Sequence, residues 1–323
     1  MRAYRTLRDA GLDESAGLER ASSALNEVWF SGPYVVRVNP TPATGRLGYE
    51  AELVKHLPRA VLYPEVVGSG RNAMAEWLIS KRTPGVELSR AWPTMSEPQR
   101  REAIRQLADA LRCLHATGQP ITETGPLRPP FLDRDSLECP HQLPASRVLT
   151  LLGRASHLQY VDAGLIAGAV ELVQSIAPAL EDDGEAPGLV HGDAHFENVL
   201  WHDDAITAIL DFEWSRPAAA DIDLDIILRF CADPALHVAD DYRHLADARQ
   251  YQAVPTWLRE AYPELFAHPR LRDRLMLYDL AYDVRHLLQH PPTDSINALP
   301  HHHALRRIRR TVDGRNHLRW MEI

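Results

Sequence analysis

The stretch LVHGDAHFENVLW, residues 189–201, decides the fold of this 323-residue chain. Apolar residues flank a short polar centre that holds four side chains able to do chemistry: His191, Asp193, His195 and Asn198. The apolar flanks predict buried strands, and the polar centre predicts a functional loop between them. Hydrolases and metal-dependent phosphatases also use His and Asp in such runs, so the residues that follow must decide between these chemistries.

The next residues predict a hairpin that brings a second acidic residue back to this loop. VLWHDDAITAIL, residues 199–210, reads as strand, turn and strand, and its return would place Asp211 beside Asn198. Phosphoryl transfer from a nucleotide needs oxygen ligands for Mg²⁺ and an aspartate that orients the attacking hydroxyl. The spacing from His191 through Asp193 to Asn198, followed by Asp211 in D-F-x, is that of the kinase catalytic and metal loops.

On these motifs the chain resembles the aminoglycoside phosphotransferase family of small-molecule kinases, relatives of choline kinases and protein kinases. HGDAHFEN and LDFEW match the family blocks HGDxHxxN and DFE or DWE. The resemblance implies an α+β, bilobal protein-kinase-like fold with a small β-rich N-lobe and a larger, mainly helical C-lobe. It also implies a set of roles: Asp193 as catalytic base, Asn198 and Asp211 as Mg²⁺ ligands, and His191 and Asp223 as structural supports of the loop.

Patterning along the chain agrees with two lobes, residues 1–80 and 81–323, with a hinge at 79–83. The first lobe is β-rich, with strands on both sides of an SGP turn, a helix at 47–57 and a strand at 75–82. A long helix opens at the N-cap Ser96 and stops near Gly118. We expect an irregular connection over 119–147, helices at 148–157 and 161–179, and further helices after the hairpin.

For the nucleotide, ATP or possibly GTP, the resemblance implies contacts in the N-lobe. Arg37 in VVRV would bind phosphates, and Glu50 would pair with it, although Glu52 competes for that role two residues away. No glycine-rich loop precedes VVRV, so polar residues stand in its place. The remaining candidates are backbone groups of the hinge, Ser80, Lys81 and Arg82, and the polar residues Ser22, Ser23 and Asn26.

The acceptor would be a hydroxyl of a small molecule, with an antibiotic such as an aminoglycoside as the leading candidate. A metabolite kinase of choline, homoserine or sugar type is the alternative, and a non-catalytic pseudokinase or a metal-dependent hydrolase also stays open. Asp279 and Asp283, at i and i+4 of one helix, would bind a polyamine or be neutralised by Arg272 or Arg285. We expect His195 to pack inside the loop on a backbone carbonyl, and His301–His303 to begin a solvated helix.

Net charge and composition limit the classes of partner that we expect for this chain. A net charge of −9 and a pI near 6.0 predict no nucleic-acid partner. The first residues lack an apolar signal segment, the apolar runs look too short to span a membrane, and three dispersed cysteines predict no disulfide framework. We therefore expect a cytoplasmic monomer or homodimer with no membrane partner.

Overall fold

The computed structural model describes residues 2–12, 15, 17–21, 26–41, 44–132, 137, 143–181 and 187–319. Ser22 and Ser23, which the sequence offers as nucleotide contacts, lie outside the described residues, as does Cys139. Within these ranges the fold is an antiparallel sheet followed by a larger helical part, as the resemblance implies.

The N-terminal part is a five-stranded antiparallel sheet with strand order β1-β2-β3-β5-β4. Its core joins Val36 and Val38 of the central strand to Leu7 of the first helix. The predicted strands around the SGP turn are confirmed. The elements are α1 (Arg2–Asp9), β1 (Glu19–Ala21), β2 (Glu27–Ser31), β3 (Tyr34–Asn39), α2 (Arg46–Leu53), β4 (Val66–Arg71) and β5 (Glu76–Lys81).

Strand β4 is the element of this sheet that the sequence pattern misses. VVGSGR carries two glycines, which weaken strand propensity and hide the alternation of apolar residues. The structure explains Gly70, because a Cβ there would lie 2.4 Å from the Trp77 ring. The glycine is therefore needed for the close approach of the indole, and the segment is a strand because β5 pairs with it.

The C-terminal part is mainly helical and begins just after β5. Helix α4 starts as predicted at Ser96, whose hydroxyl and backbone form a capping box with Gln99. The elements are β6 (Val86–Glu87), α3 (Leu88–Ala91), α4 (Glu97–His115), β7 (Ile121–Thr122), β8 (Gly125–Pro126), α5 (Ala145–Ala155), α6 (Ala163–Ile176), β9 (Gly188–Val190), β10 (Val199–His202), β11 (Ala205–Ile209), β12 (Arg216–Ala218), α7 (Asp221–Ala232), α8 (Val254–Ala261), α9 (Leu271–Gln289) and α10 (Ala304–Val312).

Two apolar cores hold this part together. The larger joins α4, α7 and α8 to the hairpin β10–β11, and the smaller joins α5, α6, α9 and α10. The segment Ala163–Leu180 is long and apolar enough by composition to span a membrane, so the expectation that the apolar runs are too short is wrong for it. In this fold it places Leu165, Ile166, Ala169 and Val173 in the smaller core.

The hairpin returns the chain to the catalytic loop, as the sequence predicts. Val199 pairs with Ile209, and the amide of Leu210 donates to the carbonyl of Asn198 over 2.8 Å. Asp211 therefore follows directly at the loop.

The histidine tract begins helix α10. The side chain of His303 accepts from the amide of Leu305, so this residue caps the helix. His301 is largely exposed, which agrees with the expected helix start at the surface. Among the described residues, no group of three or more His, Cys, Asp or Glu side chains is placed to hold a metal ion.

Candidate active site

Asp193 and Asn198 meet within the catalytic loop. The side-chain nitrogen of Asn198 donates to the carbonyl of Asp193 over 2.9 Å and to its carboxylate over 3.2 Å. Because the nitrogen faces Asp193, the side-chain oxygen of Asn198 points away from that carboxylate. Asp211 adopts a left-handed backbone with φ of 66°, and its side chain is about one-third exposed. Three oxygen-bearing side chains therefore gather at one place.

Asp223 braces the start of this loop. Its two carboxylate oxygens accept the amides of His191 and Gly192, each over 2.8 Å, and one of them lies 3.0 Å from Nε2 of His115. Burial alone would raise the pKa of Asp223, but His115 and these amides hold it below its ordinary value. Gly192 has φ of 81°, and a Cβ there would lie 2.4 Å from the carbonyl oxygen of Trp214, so the turn requires glycine.

His191 joins the loop of residues 191–198, here called the catalytic loop, to residues 211–215, here called the metal loop. Its Nδ1 accepts the amide of Asp193 over 3.2 Å, so the proton belongs on Nε2, which donates to the carbonyl of Leu210 over 2.8 Å. The ring also packs on Phe212, with centroids 4.4 Å apart. This buried imidazole thus fixes the residue before Asp211 relative to Asp193.

His195 lies against the carboxylate of Asp193 instead of a backbone carbonyl. Its Nε2 is 3.4 Å from Oδ1 of Asp193, so the expected carbonyl contact is wrong for this nitrogen. Burial would raise the pKa of Asp193, yet the charge of His195 and its hydrogen bond outweigh burial and hold that pKa at about 2. Burial lowers the pKa of His195, but the charge of Asp193 and the hydrogen bond to it raise that pKa by more. The pKa of His195 therefore lies above its ordinary value. Asp193 is therefore ionised throughout the neutral range.

Arg37 connects the N-terminal sheet to the metal loop. Its Nη1 lies 2.7 and 2.8 Å from the two carboxylate oxygens of Glu50, and its Nη2 donates to Asp211 over 2.6 Å. Glu50 is fully buried, whereas Glu52 pairs with Lys55 at the surface. Of the two glutamates, Glu50 is therefore the one that pairs with Arg37. Burial of Glu50 is therefore compensated by a charged partner.

Further contacts fix Glu50 from the other side. Its Oε1 accepts the hydroxyl of Tyr63 over 2.9 Å and the amide of Phe212 over 3.0 Å. The helix that carries Glu50 is also anchored to the C-terminal part, because the Tyr49 hydroxyl donates to the carbonyl of Ser215 over 2.8 Å. Helix α2 and the metal loop thus form one polar contact surface between the two parts of the molecule.

Glu213 is a buried neighbour that the sequence left without a role. Asn26 donates to it over 3.3 Å, and Arg46 lies 3.8 Å from it. Burial, and then the charge of Asp211, raise the pKa of Glu213 to about 8. The third position of D-F-E was the available signal, since an acidic residue two places after Asp211 lies close to it. Asn26, offered as a nucleotide-facing residue, contacts this glutamate.

Glu197 was also left without a role, because its position varies in the resembled family. The structure places its carboxylate against the hydroxyls of Ser89 and Tyr242. These partners lie 108 and 45 residues away, so no local pattern could have indicated them. The contacts tie the middle of the catalytic loop to helix α3 and to the segment between α7 and α8.

The residues predicted to form the hinge lie at the end of β5. Ser80 and Lys81 are paired in the sheet, and the amide of Lys81 donates to the carbonyl of Glu65 over 2.8 Å. The amide of Arg82 donates to the carbonyl of Pro33 over 2.7 Å. These two N–H groups are engaged within the sheet, so contact of this stretch with adenine stays a prediction and would use other backbone groups.

The expected counterions of Asp279 and Asp283 are wrong. Asp283 pairs with Arg307 over 2.7 Å, and the ring of His317 lies 3.7 Å from Asp279. Both carboxylates are buried in the C-terminal helices. Asp283 is therefore paired with an arginine distant in sequence, and Asp279 lies beside a histidine, where Arg272 or Arg285 had been expected.

The side chains gathered here can position a hydroxyl group near Asp193. Asn198 and Asp211 offer oxygen atoms that could bind a metal ion, and a guanidinium lies beside them.

The chain matches the model of the phosphotransferase enzyme family, APH, over residues 17–264. A comparison with curated proteins finds no match.

Solved structures share the fold. A thermostable mutant of aminoglycoside phosphotransferase APH(4)-Ia, in a ternary complex with ADP and hygromycin B, has 19% identity and a TM-score of 0.62, covering 96% of this chain and 97% of that chain. ADP-bound aminoglycoside phosphotransferase APH(2'')-Ib has 15% identity and a TM-score of 0.61, covering 98% and 99%. The streptomycin–ATP complex of APH(2")-IIa has 16% identity and a TM-score of 0.58, covering 89% of each chain. The predicted kinase-like α+β fold is confirmed.

Proposed function

Because this chain belongs to the phosphotransferase enzyme family, we propose that it transfers the terminal phosphate of ATP, or of GTP, to a hydroxyl group of a small molecule. One observation carries the proposal: Asp193, Asn198 and Asp211 converge, and Arg37 reaches the same place from the other lobe. The lobes would be residues 1–80 and 81–323, with the nucleotide in the cleft beside the hinge at 79–83.

Asp193 would accept a hydrogen bond from the acceptor hydroxyl and orient its oxygen toward the phosphate. A carboxylate whose pKa is about 2 is ionised at neutral pH but is a weak base. It therefore suits orientation of the nucleophile, with the proton passing to it late as the phosphorus–oxygen bond forms. His195 would keep this carboxylate in place.

The donor set fits magnesium. Asn198 offers its side-chain oxygen and Asp211 a partly exposed carboxylate, and hard oxygen ligands of this kind suit Mg²⁺ when phosphate oxygens complete the sphere. Bound there, the ion would neutralise charge on the phosphates. Arg37, held by Glu50, would direct its planar guanidinium at the same phosphates. His191 and Asp223 would support the loop.

The leading acceptor class is an aminoglycoside antibiotic, because the solved relatives in the comparison are named for aminoglycosides and several are complexes with them. A metabolite kinase is the alternative. The complete set Asp193, Asn198 and Asp211 favours catalysis over a pseudokinase. We further propose a cytoplasmic enzyme, monomeric or homodimeric, whose partner is the small molecule.

The test is acceptor-dependent release of ADP from ATP across a panel of antibiotics and metabolites. Asp193→Asn should lower kcat by about 10²–10⁴-fold and leave nucleotide binding nearly unchanged. The matched control is Asp203→Asn in the exposed hairpin turn, where asparagine tolerates the left-handed backbone. Full turnover by Asp193→Asn would refute the role of Asp193.

The other function classes give different results in the same assay. A pseudokinase would bind nucleotide and release no ADP with any acceptor. A metal-dependent hydrolase would release phosphate from monoesters and show no affinity for nucleotide.

A further inference from the structure

A polar cluster lies between α7, α9, α10 and the segment after α10. Eight of its buried side-chain nitrogen and oxygen atoms have no hydrogen-bond partner among the described residues, two each on Arg229 and Asn316 and one each on the other four. The six residues are Asp225, Arg229, Asp279, Arg307, Asn316 and His317. Buried polar atoms are normally bonded to protein or to ordered water. Such a concentration of unbonded polar atoms is the pattern expected of a site for a polar ligand.

The cluster offers donors and acceptors together. Arg229 pairs with Asp225 over 2.6 Å, and both Arg229 and Arg307 place their guanidinium carbons over the ring of Tyr282, at 4.1 and 5.7 Å. Nε and Nη1 of Arg229 and Nη2 of Arg307 make no hydrogen bond among the described residues, and neither does Oδ1 of Asp225, a residue only 1% exposed. A ligand with hydroxyl groups can satisfy both kinds of atom, since a hydroxyl both donates and accepts.

The charge of the cluster is not negative despite its two aspartates, Asp225 and Asp279, and the neighbouring Asp283, which pairs with Arg307. Burial raises the pKa of Asp279 to about 8, so this carboxyl holds its proton at neutral pH. Burial, together with the charge of Arg229, lowers the pKa of His317 to about 4, so that ring is neutral. Two arginines then face at most two ionised carboxylates, which gives no attraction for a polycation.

Helix α7 connects the cluster to the catalytic loop. Phe230, the residue after Arg229, stacks on Phe196 and His195 of that loop, with centroids 5.0 and 6.1 Å apart. The ring of His237 lies 5.9 Å from that of His195. Burial lowers the pKa of His237, the charges of His195 and Arg229 lower it further, and the charge of Asp193 raises it. The cluster is therefore joined to the loop that carries Asp193 through Phe230, His237 and His195.

We infer that this polar cluster is an acceptor subsite, and that it selects a hydroxyl-rich acceptor of low positive charge over a polyamine. The inference rests on the proposed phosphotransfer, because it requires Asp193 to face the acceptor. It narrows the acceptors proposed above, since it favours the metabolite alternative, or an aminoglycoside whose amines are masked, over a free aminoglycoside. Hydroxyl groups would bond to Asp225 and to the open N–H groups of Arg229 and Arg307. An ammonium group would meet two guanidiniums instead.

The test compares acceptors that carry the same hydroxyls and differ in whether their amines are charged or acetylated. Kanamycin A and its fully N-acetylated form carry the same hydroxyls, and glucosamine and N-acetylglucosamine form a smaller pair. Acceptor-dependent ADP release should give a kcat/KM at least about tenfold higher for the acetylated member, the ratio that about 1.4 kcal/mol of discrimination produces. Arg307→Gln and Arg229→Gln should each lower kcat/KM for the acetylated acceptor about tenfold or more. Arg309→Gln, on the same helix as Arg307, is the matched control and should change nothing.

Stabilisation by AMP-PNP and Mg²⁺ shows whether each variant retains its fold and nucleotide site. If a variant fails this check, the wild-type comparison of the acetylated and free amines still decides the preference. Higher kcat/KM for the free amines would overturn the inference, as would arginine variants that fold and leave both acceptors unaffected. A wild-type protein that binds nucleotide yet responds to none of the four acceptors would also count against the subsite. Loss of nucleotide binding itself would instead contradict the proposed function.

Discussion

The guanidinium of Arg37 donates hydrogen bonds to two carboxylates from different parts of the chain. Glu50 holds one nitrogen, and Asp211 of the metal loop accepts from the other. The side chain is mostly buried, so these contacts fix its direction. Burial lowers the pKa of Arg37, but Asp211 and Glu50 outweigh it and raise that pKa further. The guanidinium is therefore permanently charged and already oriented where phosphates would bind.

Arg37→Met should therefore weaken nucleotide binding. Charged hydrogen bonds are worth roughly 1.5–3 kcal/mol, which corresponds to about ten- to a hundredfold in Kd. Titration with a fluorescent ATP analogue in the presence of Mg²⁺ measures the effect. The matched control is Arg71→Met, at the exposed end of β4 in the same sheet. An unchanged Kd in a folded Arg37→Met protein would remove Arg37 from the nucleotide site.

At the scale of secondary-structure elements, α4 is the longest helix for which the sequence predicts both the start and the end. Its capping box satisfies amides at the first turn that the helix leaves without partners. Ser96→Ala should destabilise the protein by about 1 kcal/mol, measured by urea unfolding. Ser175→Ala, near the end of α6, removes an exposed hydroxyl without capping function and is the control. Equal stability of the Ser96→Ala and wild-type proteins would contradict the cap.

Helix α9 carries Asp279, which gives stability a dependence on pH. In the folded chain this carboxyl keeps its proton up to about pH 8, whereas in the unfolded chain it ionises near pH 4. The folded state therefore binds more protons between these values, and the contribution of Asp279 to stability falls as pH rises.

Asp279→Asn should remove this fall. Relative to the wild type, the variant should gain more than about 1 kcal/mol in free energy of unfolding between pH 4.5 and pH 8, the equivalent of one pKa unit. Urea unfolding at the two pH values measures it, with Asp273→Asn on the same helix as control. Parallel pH profiles of variant and wild type would show that Asp279 titrates normally in the folded protein.

Elements with a strong local pattern were predictable from sequence. Strands β2, β3 and β5, helix α4 and the hairpin β10–β11 follow from alternation, caps and turn residues. β4 was missed because its glycines serve the packing of Trp77, a property of the neighbouring strand. The start of α5 was placed three residues late, since Pro144 precedes it without a side-chain cap. Local pattern thus fails where a tertiary neighbour determines the element.

For the whole molecule, contacts between the two parts depend on α2 and the metal loop. Arg37, Tyr49 and Glu50 all reach residues 211–215. A nucleotide bound with Mg²⁺ in this place should stabilise both parts together. At a hundred times its Kd it adds about 2.7 kcal/mol. Tm should rise by a few degrees with AMP-PNP and Mg²⁺.

Removal of the metal should abolish most of this rise. Addition of EDTA to the wild type, or the Asp211→Asn substitution, tests that dependence by thermal unfolding. Asp203→Asn should behave as the wild type. If AMP-PNP stabilised the protein equally with EDTA present, Asp211 and Asn198 would not serve as metal ligands.

Residues of the candidate site could be predicted from sequence where they lie close together in the chain or within a known motif. Asp193, Asn198 and Asp211 span nineteen residues and one hairpin, so their convergence follows from local geometry. The partners of Glu197 and Asp283 lie on other elements, where sequence spacing carries no information about distance. For the same reason, the polar cluster could not be recognised before α7, α9 and α10 were placed.

Gly192 sets a limit on how this enzyme can be diversified. Its positive φ and the nearby Trp214 carbonyl exclude every side chain at the first turn of the catalytic loop. A directed-evolution library aimed at new acceptors should therefore keep this codon fixed and place its diversity on α9 and α10. Deep sequencing of functional clones would then return glycine alone at position 192 and many residues on the exposed faces of those helices.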